Sequence, residues 1–196
     1  MDRNLAAQVA QSSVIDLDGR FVRHVSPKVR TLAGSTAGGR WGLANTYPVL
    51  YLGRPIESVL AEAYRHLVDG VEGMAAELVG PRTIFDVEVK VTQILDLRDH
   101  DTLQRVGLDE AALRNAHGPC QRVGQAAHQL GLHGILAPAA TELGETLALF
   151  ERHLPEAEIP AIAGEGRWET LPPDPRSEEQ RVRQGNVADS GLNDSR

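Results

Sequence analysis

The chain has 196 residues, 41% of them hydrophobic, enough to bury the core of one domain, since domains commonly hold on the order of 100–200 residues. Its formal net charge of −7 argues against nonspecific binding to nucleic acid or to an anionic lipid surface. The lone Cys120 excludes an internal disulfide, no apolar run approaches the roughly 20 residues of a membrane span, and MDRNLAAQVAQSS lacks a signal-peptide core, so the cytoplasm is the expected location.

The stretch GGRWGLANTYPVLYL, residues 38–52, stands out first. A chain with 4% aromatics places a Trp and two Tyr here, beside Arg40. Its end, PVLYL, reads as a buried strand carrying Tyr51. Next, RPIESVLAEAYRHLV reads as a helix: Pro55 suits a first turn, and Ile56, Val59, Leu60, Ala63 and Leu67 recur along one face. Glu62 falls at the border of that stripe, where a carboxylate can face a cleft without entering the core.

TIFDVEVKV puts Phe85, Val87, Val89 and Val91 on one side and Asp86, Glu88 and Lys90 on the other, the period of a half-exposed strand, and ILDL reads as its neighbour. A second helix runs through PCQRVGQAAHQLG, with Cys120, Val123, Ala127 and Leu130 inward and Gly131 as its stop, followed by strands GILAP and ETLALF. From Gly164 onward the composition turns to Pro, Gly and charge. We therefore expect one domain over residues 1–163, with its core at about 21–154, and a polar, flexible tail over 164–196. The order of elements is α+β, without regular βαβ alternation.

Walker loops, dinucleotide glycine fingerprints, HExxH and paired CxxC are missing, and the seven His are scattered, so no metal site is expected. Cys120, on the apolar stripe of its helix, reads as a small core hydrophobe. What remains is Arg40, Tyr51 and Glu62, spaced at intervals of eleven residues. Periodicity leaves two readings open. Either Glu62 is a solvated helix residue pairing Arg65 or His66, Arg40 a turn arginine and Tyr51 a core residue, or the three share a cleft. Trp41 reads equally as a stacking ring or as a packing anchor. Gln121 reads as a further cleft residue through its amide, or as an exposed helix position.

GGRW, PVLYL and SVLAEAYRHL in that order, with GPCQRVGQAAHQLGLHGILAPAATELGETLALF beyond them, resemble the RES-domain toxins of bacterial toxin–antitoxin pairs over roughly Phe21 to Leu154. The resemblance implies a compact mixed domain similar to ADP-ribosyltransferase toxins. It implies NAD+ as a substrate rather than a cofactor, cleaved by hydrolysis, by phosphorolysis with phosphate as co-substrate, or by transfer of ADP-ribose to a protein. It also implies an Xre-like antitoxin partner covering the active site, with a homo-oligomer within the complex left open.

Residue by residue, the family's arginine falls on Arg40, its tyrosine on Tyr51 and its glutamate on Glu62. An earlier arginine matches Arg23, with His24 where an aromatic neighbour is usual. Two positions depart from the pattern: Ala139 stands where many members have Ser after Pro, and Gly42 where Asn is common after RW.

These residue types suit the chemistry. The departing nicotinamide is already a pyridinium and needs no general acid, so one carboxylate can suffice, unlike in ordinary glycoside hydrolysis. Glu62 would hold a ribose hydroxyl and stabilise the oxocarbenium-like ribose, Arg23 and Arg40 would clamp the pyrophosphate, and Tyr51 would face the nicotinamide. A binding module that keeps the fold without turnover is the alternative from another class. A nucleic-acid-binding regulator is disfavoured by acidity and by the lack of a basic aromatic stripe.

Overall fold

A computed structural model describes residues 3–115 and 117–182. Among them α1 (Arg3–Ala10) leads into β1 (Val14–Val25), and β2 (Val49–Arg54) feeds α2 (Ile56–Tyr64), which runs on into a π turn over Arg65–Asp69. Then come β3 (Arg82–Asp96), the short helices α3 (His100–Arg105) and α4 (Glu110–Asn115), α5 (His117–Gln129), β4 (Gly134–Pro138), β5 (Glu145–Phe150) and β6 (Ala161–Trp168). No helix among these residues is long and apolar enough to cross a membrane.

The strands follow the order β1-β2-β5-β4-β3-β6, and β1 also pairs with β3, so the first five close on themselves. One seam is firm: β1 and β3 pair antiparallel from Val14↔Leu95 to Val25↔Thr83. The other is loose, because β1 meets β2 at Val22↔Gly53 alone. Beside that loose seam the sheet leaves room for a cleft.

Closure gives the central strands two buried faces, which is why GILAP and ETLALF read as unbroken apolar runs. Leu136, Leu147 and Leu149 point into one cluster with Phe21, Leu52, Phe85, Val87 and Ile94. Ile135, Ala137, Ala148 and Phe150 face the other way, against Cys120, Val123 and Ala127 of α5. In β3 the alternation holds as expected, with Phe85, Val87, Val89 and Val91 buried and Asp86, Glu88 and Lys90 exposed.

Several expectations need correction. ILDL is not a separate strand: β3 continues through Asp96, and a left-handed Gln93 (φ 56) accompanies the passage. Ile56 and Leu130, read as core, are 42% and 41% exposed. In α2 the burial spreads instead to Ser58, Ala61 and Tyr64, leaving Glu57 and Glu62 among the positions outside it. Gly131 does stop α5, at φ +79, a conformation that favours glycine.

The tail expected from Gly164 does not begin there. β6 pairs with β3 as far as Arg82↔Trp168, and Leu171 packs with Leu60, Ala63, Tyr64 and Val79. Tyr64 Oη donates to the Pro172 carbonyl at 2.8 Å, and the Arg176 guanidinium lies between Asp69 and Asp174. Composition missed this because a few large side chains anchor a polar segment. The rest of the expected tail, residues 183–196, lies outside the described residues.

Candidate active site

β2 and α2 set the position of the central residues. Along β2, Val49 and Tyr51 share a face, and Gly53 follows on that face without a side chain. A Cβ there would stand 2.8 Å from Val59 Cγ2, so glycine lets α2 cross close over the strand. The helix thereby delivers Glu62 to the same cleft as Tyr51. The cleft measures about 490 Å³, and its lining includes Arg23, His24, Arg40, Tyr51 and Glu62.

The turn bearing Arg40 is pinned from below. Tyr51 Oη accepts the Trp41 N–H at 3.0 Å, and a Cβ on Gly39 would meet the same oxygen at 2.7 Å. Burial pushes the Tyr51 phenol up to about 12, so it stays protonated at neutral pH. Trp41 is fully buried in the helix-side core, where it packs as an anchor, and it also lines the cleft. Gly42 is equally constrained, since a Cβ there would stand 2.7 Å from Val49 Cγ2 and an Asn side chain would have to displace that valine.

Gln121 does not line the cleft. Its Nε2 donates to the Gly39 carbonyl at 3.0 Å, so it acts on the arginine turn rather than on a ligand. Arg23 lines the cleft while its Nη1 donates to the carbonyls of Leu32 and Ala33 at 3.1 and 3.0 Å, bonds that do not use Nη2 or Nε of its fork. Ala139 is buried and donates its N–H to the Gly144 carbonyl, while its neighbours Pro138 and Ala140 line the cleft. Cys120 is buried, with its thiol pushed up by burial, as a core residue should be.

Glu62 makes both pairings of the solvated reading while also lining the cleft. Its carboxylate oxygens lie 3.6 Å from Arg65 Nη1 and 3.6 Å from His66 Nε2, with its side chain 25% exposed. Arg65, His66 and His117 line the cleft too, and sequence reasoning did not place them there. The available signal was helical: Arg65 and His66 follow Glu62 by three and four residues and so share its face. Among the described residues no group of three or more His, Cys, Asp or Glu is arranged to hold a metal.

His24 lies nearly parallel to Trp168, with ring centroids 6.2 Å apart, and its Nδ1 accepts from Arg82 Nε at 3.3 Å. Burial first, then the charges of Arg82, His66 and Arg23, push its imidazole down to about 3. Against the helix-side core His128 stacks on Tyr47 at 3.7 Å, and burial with His153 and Arg152 pushes it down to about 4. In an unfolded chain both titrate near 6.5. Their folded values lie lower, so below about 6.5 the unfolded state takes up protons that the folded state refuses, and stability is lost as pH falls toward the folded values. The melting temperature is expected to fall from pH 7 to pH 5. His24→Gln, which keeps an acceptor for Arg82, should fall less over that interval, and an equal fall would assign the acid sensitivity elsewhere.

A sequence profile of the RES domain matches residues 20–172, reaching past Leu154 to take in β6 and Leu171. The NAD(+) phosphorylase MbcT of Mycobacterium tuberculosis (strain ATCC 25618 / H37Rv) is 24% identical over 156 residues, covering 78% of this chain and 84% of the relative. The Probable NAD(+) phosphorylase Rv3189 of the same strain is 33% identical over 122 residues, covering 61% of this chain and 57% of the relative. Among solved structures, the M. tuberculosis MbcT-MbcA toxin-antitoxin complex contains a chain that matches with a TM-score of 0.77 at 23% identity, over 85% of this chain and 93% of that one.

Proposed function

Because the chain belongs to the RES domain family, we propose that it is the toxin of a toxin–antitoxin pair and that it cleaves NAD+ at the nicotinamide–ribose bond, with inorganic phosphate as acceptor. The observation that carries this is the convergence of Arg23, His24, Arg40, Tyr51 and Glu62 on one cleft. The names of the relatives, both phosphorylases of NAD+, support the choice of acceptor.

In this reading the dinucleotide lies with its pyrophosphate toward Arg23 and Arg40, whose forks match phosphate oxygens. Glu62 hydrogen-bonds a ribose hydroxyl and stabilises positive charge as it develops at the anomeric carbon. Tyr51, protonated, presents its ring to the nicotinamide. The bond breaks toward a neutral leaving group, so the cleft needs no general acid.

The same reading treats the sheet, with one glutamate above it, as related to ADP-ribosyltransferase toxins. Residues 20–172 form the working unit, acting in the cytoplasm where NAD+ is available. The solved neighbour is itself a toxin–antitoxin complex, which supports a partner antitoxin for this chain as well. We propose an Xre-like protein that covers the cleft, so its inhibition should be competitive with NAD+.

The test is incubation of the purified chain with NAD+, with and without phosphate, followed by mass analysis. Free nicotinamide with a phosphorylated ADP-ribose is expected. ADP-ribose alone would make water the acceptor, a modified protein would make the chain a transferase, and unchanged NAD+ would leave only a binding module. Expressed alone in a bacterium, the chain should arrest growth as NAD+ falls.

A further inference from the structure

The cleft carries more positive charge than a dinucleotide requires. Its lining holds three arginines, Arg23, Arg40 and Arg65, against Glu62 as its one carboxylate among the described residues, in a chain whose net charge is −7. Two of these guanidiniums are tethered to the same short helix. Arg40 Nη1 donates to the Ala112 carbonyl at 3.3 Å, and Arg65 Nη2 donates to the Arg114 carbonyl at 3.2 Å, both on α4. Two residues after α4, His117 opens α5 and lines the cleft beside them. Burial, then the charges of Arg40 and Arg65, lower its imidazole from the usual range.

Like charges held side by side by fixed carbonyl acceptors repel unless an anion lies between them. Glu62 compensates in part, but at 3.6 Å from Arg65 it is beyond hydrogen-bond distance. Arg65 retains N–H groups of its five-donor fork for another oxygen ligand.

We propose that Arg65, with His117 beside it, forms the subsite for free inorganic phosphate, next to the anomeric carbon that Glu62 serves, while Arg40 stays with the pyrophosphate. This deepens the phosphorolysis reading and rests on it. The placement follows from Glu62: an anion held by Arg65, one helical turn from that carboxylate, lies at the ribose, whereas the dinucleotide's own pyrophosphate lies beyond the ribose toward Arg23 and Arg40.

The step balances. A phosphate oxygen forms its bond to the anomeric carbon as the carbon–nitrogen bond breaks. The electron pair of that bond goes to the pyridinium nitrogen, which leaves as neutral nicotinamide, and ADP-ribose 1″-phosphate remains without any proton transfer to the leaving group. The Arg65 guanidinium concentrates and aims the phosphate dianion, which favours it over water.

The experiment compares the wild-type chain with Arg65→Gln and Arg65→Lys in initial rates at varied inorganic phosphate and varied NAD+, with products separated by mass. The KM for phosphate is expected to rise tenfold or more in Arg65→Gln while the KM for NAD+ stays within twofold, and ADP-ribose should grow at the expense of its phosphorylated form. Arg65→Lys, which keeps the charge but loses the fork, should fall between. A rise confined to the KM for NAD+ would mean that Arg65 holds the pyrophosphate, and would overturn the proposal. So would a wild-type rate independent of phosphate, although NAD+ cleavage would still stand. If the wild-type chain releases no nicotinamide, the enzymatic reading fails. Calorimetric titration with phosphate alone then decides the subsite: weaker binding by Arg65→Gln upholds an anion site, and equal binding removes it.

Discussion

Replacing Glu62 with glutamine is expected to lower NAD+ turnover on the order of a hundredfold or more while leaving most of the NAD+ affinity in place. The amide is nearly isosteric, so a hydrogen bond to a ribose hydroxyl survives, whereas the negative charge that opposes an oxocarbenium-like ribose is gone. That charge matters most in the transition state, which makes the loss one of kcat rather than of binding. The fold should barely register the change, because the contacts given up with Arg65 and His66 are partly exposed, at 3.6 Å, and such pairs contribute about 0–1 kcal/mol. Arg40→Ala should show the opposite division, with NAD+ affinity falling by roughly tenfold as a charge-assisted phosphate contact is lost. The measurements are kcat and the NAD+ dissociation constant for both variants. An equal loss of affinity in the two would dismantle the division of roles between carboxylate and guanidinium.

How far this site was legible in the sequence depended on the kind of signal each residue left. Periodicity left two readings open for Arg40, Tyr51 and Glu62, and it was the resemblance carried by GGRW, PVLYL and SVLAEAYRHL in that order that put them in one cleft; for Tyr51 and Glu62 the local succession of β2 and α2 is the physical counterpart. Arg65 and His117 were not legible. The first was absorbed as a helix-surface partner of Glu62, a pairing that is present, and the second comes to the cleft through α4, whose carbonyls also tether Arg40 and Arg65. No short-range pattern encodes that return. The fold shows the same division. The alternation of β3 was plain, but its continuation past Gln93 was hidden by a local irregularity. The closure of β1 onto both β2 and β3 is long-range pairing that periodicity does not carry. Trp168 and Leu171 carry the packed structure past Gly164, yet their polar surroundings masked them.

That dependence on distant contacts gives the second large effect, at Gly124. This residue lies in α5 with its backbone pressed against Trp41, the neighbour of Arg40. A Cβ added there would overlap the Trp41 carbonyl oxygen and stand 2.7 Å from its carbonyl carbon, and both are backbone atoms that cannot swing aside. Three residues earlier on the same helix, Gln121 holds the Gly39 carbonyl, so α5 grips the arginine turn from two positions. Below the turn, Trp41 is fully buried and its N–H is already committed to Tyr51 Oη. The turn therefore has no direction in which to yield without opening the core or moving Arg40. Gly124→Ala is expected to destabilise the protein by about 3 kcal/mol, an overpacking cost, lowering the melting temperature by roughly 6–12 °C. It should also weaken NAD+ binding about tenfold, since the displaced guanidinium no longer meets its phosphate. Gly118→Ala is the control, on the same helix but with Arg122 Nη1, at 4.0 Å, the nearest atom to an added Cβ. There the methyl group meets open space, and alanine's helix preference should leave stability unchanged or raise it by up to about 1 kcal/mol. Thermal melts and NAD+ titrations of the two variants decide the matter. If Gly124→Ala melts like the control, the helix does not bear on Trp41 as described; if it melts lower yet binds NAD+ normally, the arginine turn is not positioned by α5.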